Sequence, residues 1–456
     1  MNPTSFKNKF ESFTYKSIME LEDIINKSEL NIPISHETKI LKTPVEFQDI
    51  YFPNRLSINP MEGFDSGIDG SPTELTYRRY KKYAKGGAGL IWFEACAISE
   101  NCRSNEHQLM ITEQNVKNFK ELVIKVREIC NKTLKDLGFS NECVLILQLN
   151  HSGRYSRSGG IKYPIRAFDN SELDAAISVS KKDGLIISDD KLKELEDIWV
   201  RKAILANEAG FDGVDIKACH GYLISELLSA RSREDSEYGG KNLDDRTKFF
   251  LNIIKKLKSE LKSSSNFFIT TRLGIYDGIP YPNGFGVKER ENQNFPVSVD
   301  LTEPIKLVKQ LYQQGVRLIN ISAGNPHYTP HLTRPYNTPV EGEQLPAENP
   351  LYGVSRIINL TSLIKQQIPK DMVLVGSCYS FLRQYAGYVV AGLIQGKIVD
   401  ICGFGRMGFA NPNFPRQIFQ QGKIDKKKTC VTCSKCSELM KVGKATGCVL
   451  RDPQYI

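Results

Sequence analysis

Residues 143–150 read CVLILQLN and residues 213–218 read GVDIKA. The first is an almost unbroken apolar run, too short for an ordinary helix, that turns polar only as it ends. A strand with one wet face would alternate apolar and polar residues. A run apolar on both faces belongs in a parallel sheet covered on both sides. Working outward, β-rich runs recur at 56–60, 89–95, 267–273, 318–322, 372–377 and 398–404. Between them lie helical periods over Glu74 to Ala84, Val116 to Leu137, Leu192 to Ala209, Leu243 to Leu261 and Pro304 to Gln314. Eight such strands alternating with helices predict an α/β fold, a closed (β/α)8 TIM barrel, rather than an open sheet.

The chain has 456 residues, 40% hydrophobic and 25% charged, the composition of a folded globular protein. Its 61 Lys and Arg against 52 Asp and Glu give a net charge of +9, which suits an anionic substrate or an acidic electron-transfer partner; a solvated basic surface is the plainer reading. The densest basic run, Lys426 to Lys428, has no interleaved aromatics, so nucleic-acid binding is not expected. No apolar stretch resembles a signal peptide or spans a bilayer, and the seven cysteines before residue 422 lack paired spacing. A cytoplasmic protein without disulfides is expected. Residues 1–44 are read as a helical extension, with a helix near Tyr15 to Leu30 bracing the barrel bottom, residues 45–421 as the barrel, and residues 422–456 as a cysteine-rich tail.

In that tail Cys430, Cys433, Cys436 and Cys448 have the spacing C-x2-C-x2-C-x11-C. Three thiols at three-residue intervals on a tight loop can face one cubane, and a fourth beyond the turn at Gly447 closes the cage of a [4Fe-4S] cluster. A structural zinc site would more naturally show two separated C-x2-C knuckles; zinc and unliganded thiols are the alternatives. A cluster moves electrons singly.

Barrel chemistry gathers at the carboxyl ends of the strands. Two long connections lie there, Gly274 to Asp300 and Ala323 to Pro350, the second stiffened by six prolines. Gly376 and Ser377 after the seventh run, and Gly405 and Arg406 after the eighth, fall where such barrels bind phosphate. Glycine admits close backbone approach, and Arg406 adds donors and charge.

The segment DGVDIKACHGYLISELLSARSREDSEYGG, Asp212 to Gly240, resembles the fourth-strand signature of the Old Yellow Enzyme family of flavin-dependent ene-reductases. QLNHSGR at Gln148 to Arg154, EA at Glu94 and Ala95, and GFGR at Gly403 to Arg406 resemble their counterparts. With the tail cysteines, the likeness runs from Val45 to Asp452 and is to the branch that includes 2,4-dienoyl-CoA reductase and trimethylamine dehydrogenase. It implies FMN. Gln148 then matches the amide on the flavin pyrimidine edge. Arg272 matches the guanidinium beside N1 and O2, where a fixed cation stabilises reduced flavin; a rim salt bridge is its other reading. Pro60, Met61 and Ala95 match positions packed on the ring.

On the substrate side, His220 matches an oxygen-binding donor and Tyr222 the proton source, on one face if the strand stays extended. Lys217 stands where the family usually has histidine. Its ammonium would bind an enolate oxyanion or carboxylate, or else snorkel away. His151 and Arg154 could line the cavity, Glu62 could be a pocket carboxylate, and His327, His331 and Arg334 fall on the surface by default.

The expectation is an FMN- and [4Fe-4S]-dependent oxidoreductase delivering hydride to an activated carbon-carbon double bond. NAD(P)H would serve as external reductant, or a ferredoxin or flavoprotein would feed the cluster; a homo-oligomer is compatible with either. Alternatives are amine oxidation like that of trimethylamine dehydrogenase and a non-redox Schiff-base lyase built on Lys217. A non-catalytic electron-transfer module is the third.

Overall fold

The computed structural model describes residues 6–261, 266–289 and 297–456. Strands β1 (Leu56–Ile58), β2 (Leu90–Ala97), β3 (Val144–Asn150), β4 (Gly213–Ile216), β5 (Phe268–Gly274), β6 (Leu318–Ser322), β7 (Val373–Gly376) and β8 (Ile401–Phe404) close into one barrel. Every neighbouring pair is parallel. Every residue of β2 and β3 is buried, because the barrel covers one face and the helices the other.

Helices α1 (Ile18–Lys27), α2 (Glu74–Ala84), α3 (Val116–Asp136), α4 (Asp189–Glu208), α5 (Leu243–Glu260), α6 (Thr302–Gln313), α7 (Pro350–Lys365) and α8 (Ala386–Gln395) are the long ones. The helix expected from Leu192 begins earlier because Ser188 caps it, its side chain accepting from Lys191 N. The inward side chains Leu90, Trp92, Val144, Ile146, Phe268, Leu318, Val373 and Ile401 form a core of their own. A hairpin, Val45–Phe47 with Ile50–Phe52, closes its lower end, and the Phe47 ring meets Phe268 edge-on with centroids 4.9 Å apart.

The brace expected from the first helix is therefore this hairpin. α1 is shorter than predicted and its segment packs outside, where Asn31 N donates to Ser355 Oγ at 3.1 Å and Ser35 N to Tyr388 O at 3.0 Å. Its buried stripe, Leu21 and Ile25, is too narrow to fill a barrel end.

One irregularity positions the mouth. β2 carries a bulge between Phe93 and Ala95 that turns Glu94 outward to Arg79 of α2 (2.5 Å) and Tyr80. The extra residue brings Ala95 into register with Gln148, so a small side chain faces inward at the top of β2. The tail docks nearby: Thr446 N donates to Gly63 O at 2.6 Å, and Asp452 binds Arg78 at 2.9 Å and Lys82 at 2.7 Å. Among the described residues no helix is long and apolar enough to cross a membrane.

Candidate active site

The upper barrel interior is polar. Asp215 on β4 is fully buried, and its carboxylate accepts from Gln148 Nε2 (2.6 Å), Trp92 Nε1 (2.8 Å) and Arg272 N (2.8 Å). Burial still pushes its pKa up to about 6. By tying down the Gln148 amide nitrogen, Asp215 leaves the amide oxygen free to accept from a ligand. Asp215→Ala would orphan three buried donors; a loss of about 3 kcal/mol in stability is expected, visible in chemical denaturation, with weakened flavin retention.

Four buried polar atoms near the strand ends have no partner among the described residues: Asn150 Oδ1, Arg272 Nε, Asn320 Oδ1 and Arg406 Nη1. They are donors and acceptors on β3, β5, β6 and just after β8, and a heterocycle with a phosphate tail could satisfy them together. Met61 and Gly405 face each other, since a Cβ on Gly405 would lie 2.8 Å from Met61 Sδ. Arg406 Nη2 donates to Pro335 O at 2.7 Å, aiming its guanidinium from β8 toward the proline-rich connection. Ser377 Oγ donates to Ile321 O at 2.8 Å and Cys378 follows in left-handed conformation, turning the chain at the head of β7. These residues fit FMN.

Lys217, Tyr222 and Glu62 meet in a second buried group. Lys217 Nζ lies 3.7 Å above the Tyr222 ring centroid and 3.5 Å from Glu62 Oε1, to which Tyr222 OH donates at 3.4 Å. All three are buried. Burial lowers the Lys217 pKa despite Glu62, and raises that of Tyr222 well above the ordinary phenol value, with the Glu62 charge adding to it. Lys217 thus neither snorkels away nor stands as a free amine. The carboxylate that holds it is Glu62, named from the sequence only as a possible pocket carboxylate, since nothing in its surroundings at the end of β1 announces a partner 155 positions on.

His220 Nε2 bonds Ser322 Oγ at 2.9 Å. Burial, with Arg272 and Lys217 nearby, holds this imidazole well below its ordinary pKa, so it is neutral. The strand does not stay extended through His220 and Tyr222. His220 (φ 68°) and Gly221 (φ 73°) are both left-handed, and Tyr222 caps the short helix Leu223–Leu228. The turn, not strand alternation, delivers the tyrosine. A Cβ on Gly221 would lie 2.3 Å from Asn325 Nδ2, so Gly221→Ala should cost about 2 kcal/mol or more and displace Tyr222. Thermal denaturation and steady-state kinetics would record both effects.

Tyr155, which the sequence did not single out, walls this side. Its ring is edge-on to Tyr222 (5.6 Å) and stacked on exposed His327 (3.7 Å). Two expected cavity residues point elsewhere. Arg154 is fully buried in ion pairs with Glu226 and Asp174, and His151 packs toward Trp199 of α4 with ring centroids 6.4 Å apart. The Arg154 guanidinium is consumed by structure, and His151 Nδ1 accepts from Gly153 N at 3.1 Å.

The four tail cysteines line one cavity together with Arg406 and Phe409. Thr432 (φ 52°) and Ser434 (φ 59°) are left-handed and curl the loop so that Cys430, Cys433 and Cys436 share it with Cys448. Thr432 N donates to Cys430 Sγ at 3.4 Å. Burial pushes the Cys430 thiol up to about 12 against the pull of Arg406, so a thiolate here needs further positive charge. Among the described residues no three His, Cys, Asp or Glu are gathered as tightly as one metal ion requires. The tail is tied to the proline-rich connection by Asn337 N to Thr432 O (3.0 Å) and Ser434 Oγ to Thr338 O (2.6 Å). Arg334 lies half-buried on that connection, near Arg406 and Cys436.

Known proteins bear on this geometry. An NADPH dehydrogenase of Bacillus subtilis (strain 168) is 28% identical over 286 residues, 62% of this chain and 73% of that protein. Two solved structures share the fold. One is 2-naphthoyl-CoA reductase bound to 2-naphthoyl-CoA, with TM-score 0.70, 18% identity and coverage of 92% of this chain. The other is the old yellow enzyme homologue of Zymomonas mobilis, with TM-score 0.59, 19% identity and coverage of 85% of this chain and 94% of that one. The chain spans 57% of the length of the naphthoyl-CoA reductase. The NADH:flavin oxidoreductase / NADH oxidase family profile matches residues 41–384. The chain belongs to that family, the flavin-dependent oxidoreductases of Old Yellow Enzyme type.

Proposed function

We propose that this enzyme reduces an activated carbon-carbon double bond using FMN in the barrel mouth and a [4Fe-4S] cluster in the tail, residues 422–456. The observation that carries the reading is the grouping of Tyr222, Lys217 and Glu62 beside the unpartnered polar atoms at the strand ends. Gln148, Arg272, Pro60, Met61 and Ala95 would hold the flavin ring, and Gly376, Ser377, Gly405 and Arg406 its phosphate. Bound there, FMN supplies hydride transfer to one carbon of the substrate. Tyr222 OH gives a proton to the other carbon. Lys217, above the ring, stabilises the phenolate left behind, and Glu62 keeps the ammonium in place. Neutral His220 orients the electron-withdrawing oxygen of the substrate. Because Lys217 is already paired, its role is toward Tyr222 rather than toward a substrate carboxylate.

Cys430, Cys433, Cys436 and Cys448 would ligate the cluster, which supplies single-electron transfer. The shared cavity, the left-handed curls and the nearby Arg406 and Arg334 support it. A cluster containing its own sulfide holds its thiolates farther apart than one ion does, so the absence of a tight single-ion group is compatible with it. Anaerobic purification tests both cofactors. Flavin bands with a broad brown shoulder and stoichiometric FMN, iron and sulfide are expected, followed by NADPH-driven reduction of enones or enoyl thioesters. Colourless protein that resists reconstitution would refute the proposal.

A further inference from the structure

The tail holds eight Lys and Arg against three Asp and Glu, a net +5 of the chain's +9 within 35 of its 456 residues. All eight cations are exposed. The acidic residues offset little at the surface. Asp452 is consumed by Arg78 and Lys82, Glu438 pairs with Lys435 at 2.8 Å, and Asp425 comes only within 4.0 Å of Lys428. Lys426, Lys427, Lys441, Lys444 and Arg451 have no ion pair among the described residues. Within this basic segment three apolar side chains stand in solvent, Val442 at 67% exposure, Leu450 at 51% and Ile456 at 91%. Leu450, Arg451 and Lys435 also line the four-cysteine cavity, so the charged surface rims its opening.

A solubilising charge would be spread over the molecule; this one is concentrated in the segment that carries the cavity, with Lys435 and Arg451 on its lining. Small apolar contacts in a segment of like charge suit a partner that must arrive fast, bind briefly and leave. We propose that this face docks a small acidic one-electron carrier protein of ferredoxin type, which delivers electrons through the cysteine site. The inference rests on the cluster reading above. Each reduced carrier is oxidised by one electron. Two carriers, with two protons from water, account for the two electrons and two protons that saturate one carbon-carbon double bond. Nucleic acid is the poorer fit, since the patch presents no exposed aromatic ring for base stacking.

The test uses the anaerobically reconstituted holoenzyme with a small acidic [2Fe-2S] ferredoxin, and basic cytochrome c and a single-stranded DNA oligomer as controls. Ferredoxin binding and its rate of enzyme reduction should be strong at about 20 mM salt and weak at about 200 mM. In the K426E/K427E/K428E variant both should fall roughly ten- to a hundredfold at low salt. NADPH-driven turnover and FMN, iron and sulfide contents should be unchanged. V442S, which removes an apolar contact and no charge, should weaken binding without altering the salt slope. Ferredoxin that fails to bind at low salt, an affinity indifferent to the charge reversal, or equal retention of cytochrome c or DNA would overturn the docking proposal. Iron and sulfide contents report separately on the cluster: protein that refuses iron and sulfide on reconstitution sinks the cluster reading and with it the electron route, whereas iron-replete protein that ignores ferredoxin sinks the docking alone.

Discussion

Tyr222→Phe should slow substrate reduction by roughly 10²- to 10⁴-fold, the usual worth of a positioned proton donor, while NADPH still reduces the flavin at its normal rate. Stopped-flow measurement of the two half-reactions separates these outcomes. The geometry dictates the asymmetry. The phenol is buried, donates to Glu62 at 3.4 Å and lies under the Lys217 ammonium at 3.7 Å, so losing its oxygen removes the proton and little packing. Lys217→Met should slow the same half-reaction less, because the phenol remains and only the charge that steadies its anion is gone. Equal slowing of both half-reactions in Tyr222→Phe would mean that the residue shapes the flavin site instead, and the assigned role would fall.

How far the sequence foretold this site follows from the range of each interaction. The eight strands were legible because a buried parallel strand must be apolar on both faces, as CVLILQLN is. Gln148, Arg272 and Lys217 were found through their resemblance to the family's motifs, and their places at strand ends agree with where barrel chemistry gathers. The His220 turn was not, since positive φ at a non-glycine residue leaves no composition signal; only Gly221 beside it hinted at a break. Arg154 misled because a motif match says nothing about partners, and its guanidinium is taken up by Glu226 and Asp174 from elsewhere in the chain. The bulge at Glu94 escaped notice for a related reason. One extra residue in an all-buried strand changes no hydrophobic pattern, yet it alone decides that Ala95 faces the barrel interior. Glu62 required the folded structure, since its worth lies in an ammonium 155 positions away.

Cys436→Ala should reduce iron from about four atoms per chain to under one and expose the tail to trypsin, with FMN retained in the barrel. The tail is lightly held. Its helix, Lys435–Lys441, buries no residue; Ile424, Cys430 and Tyr455 are its buried apolar anchors, and its polar attachments include hydrogen bonds to Thr338, Asn337, Gly63, Asn105 and Arg383 and the Asp452 pairs with Arg78 and Lys82. So few apolar anchors offset little of the ordering entropy of 35 residues, and the metal is expected to contribute much of the folding energy. The lysines at 426–428, 441 and 444 supply the cleavage sites, and gel analysis of limited digests against wild type reads the change. Cleavage should concentrate beyond residue 422, leaving a barrel fragment that still oxidises NADPH, because the strand-end residues assigned to FMN all precede it. Should the variant keep its iron and resist trypsin as wild type does, the four thiols are structural residues of the tail and the electron route through them is wrong.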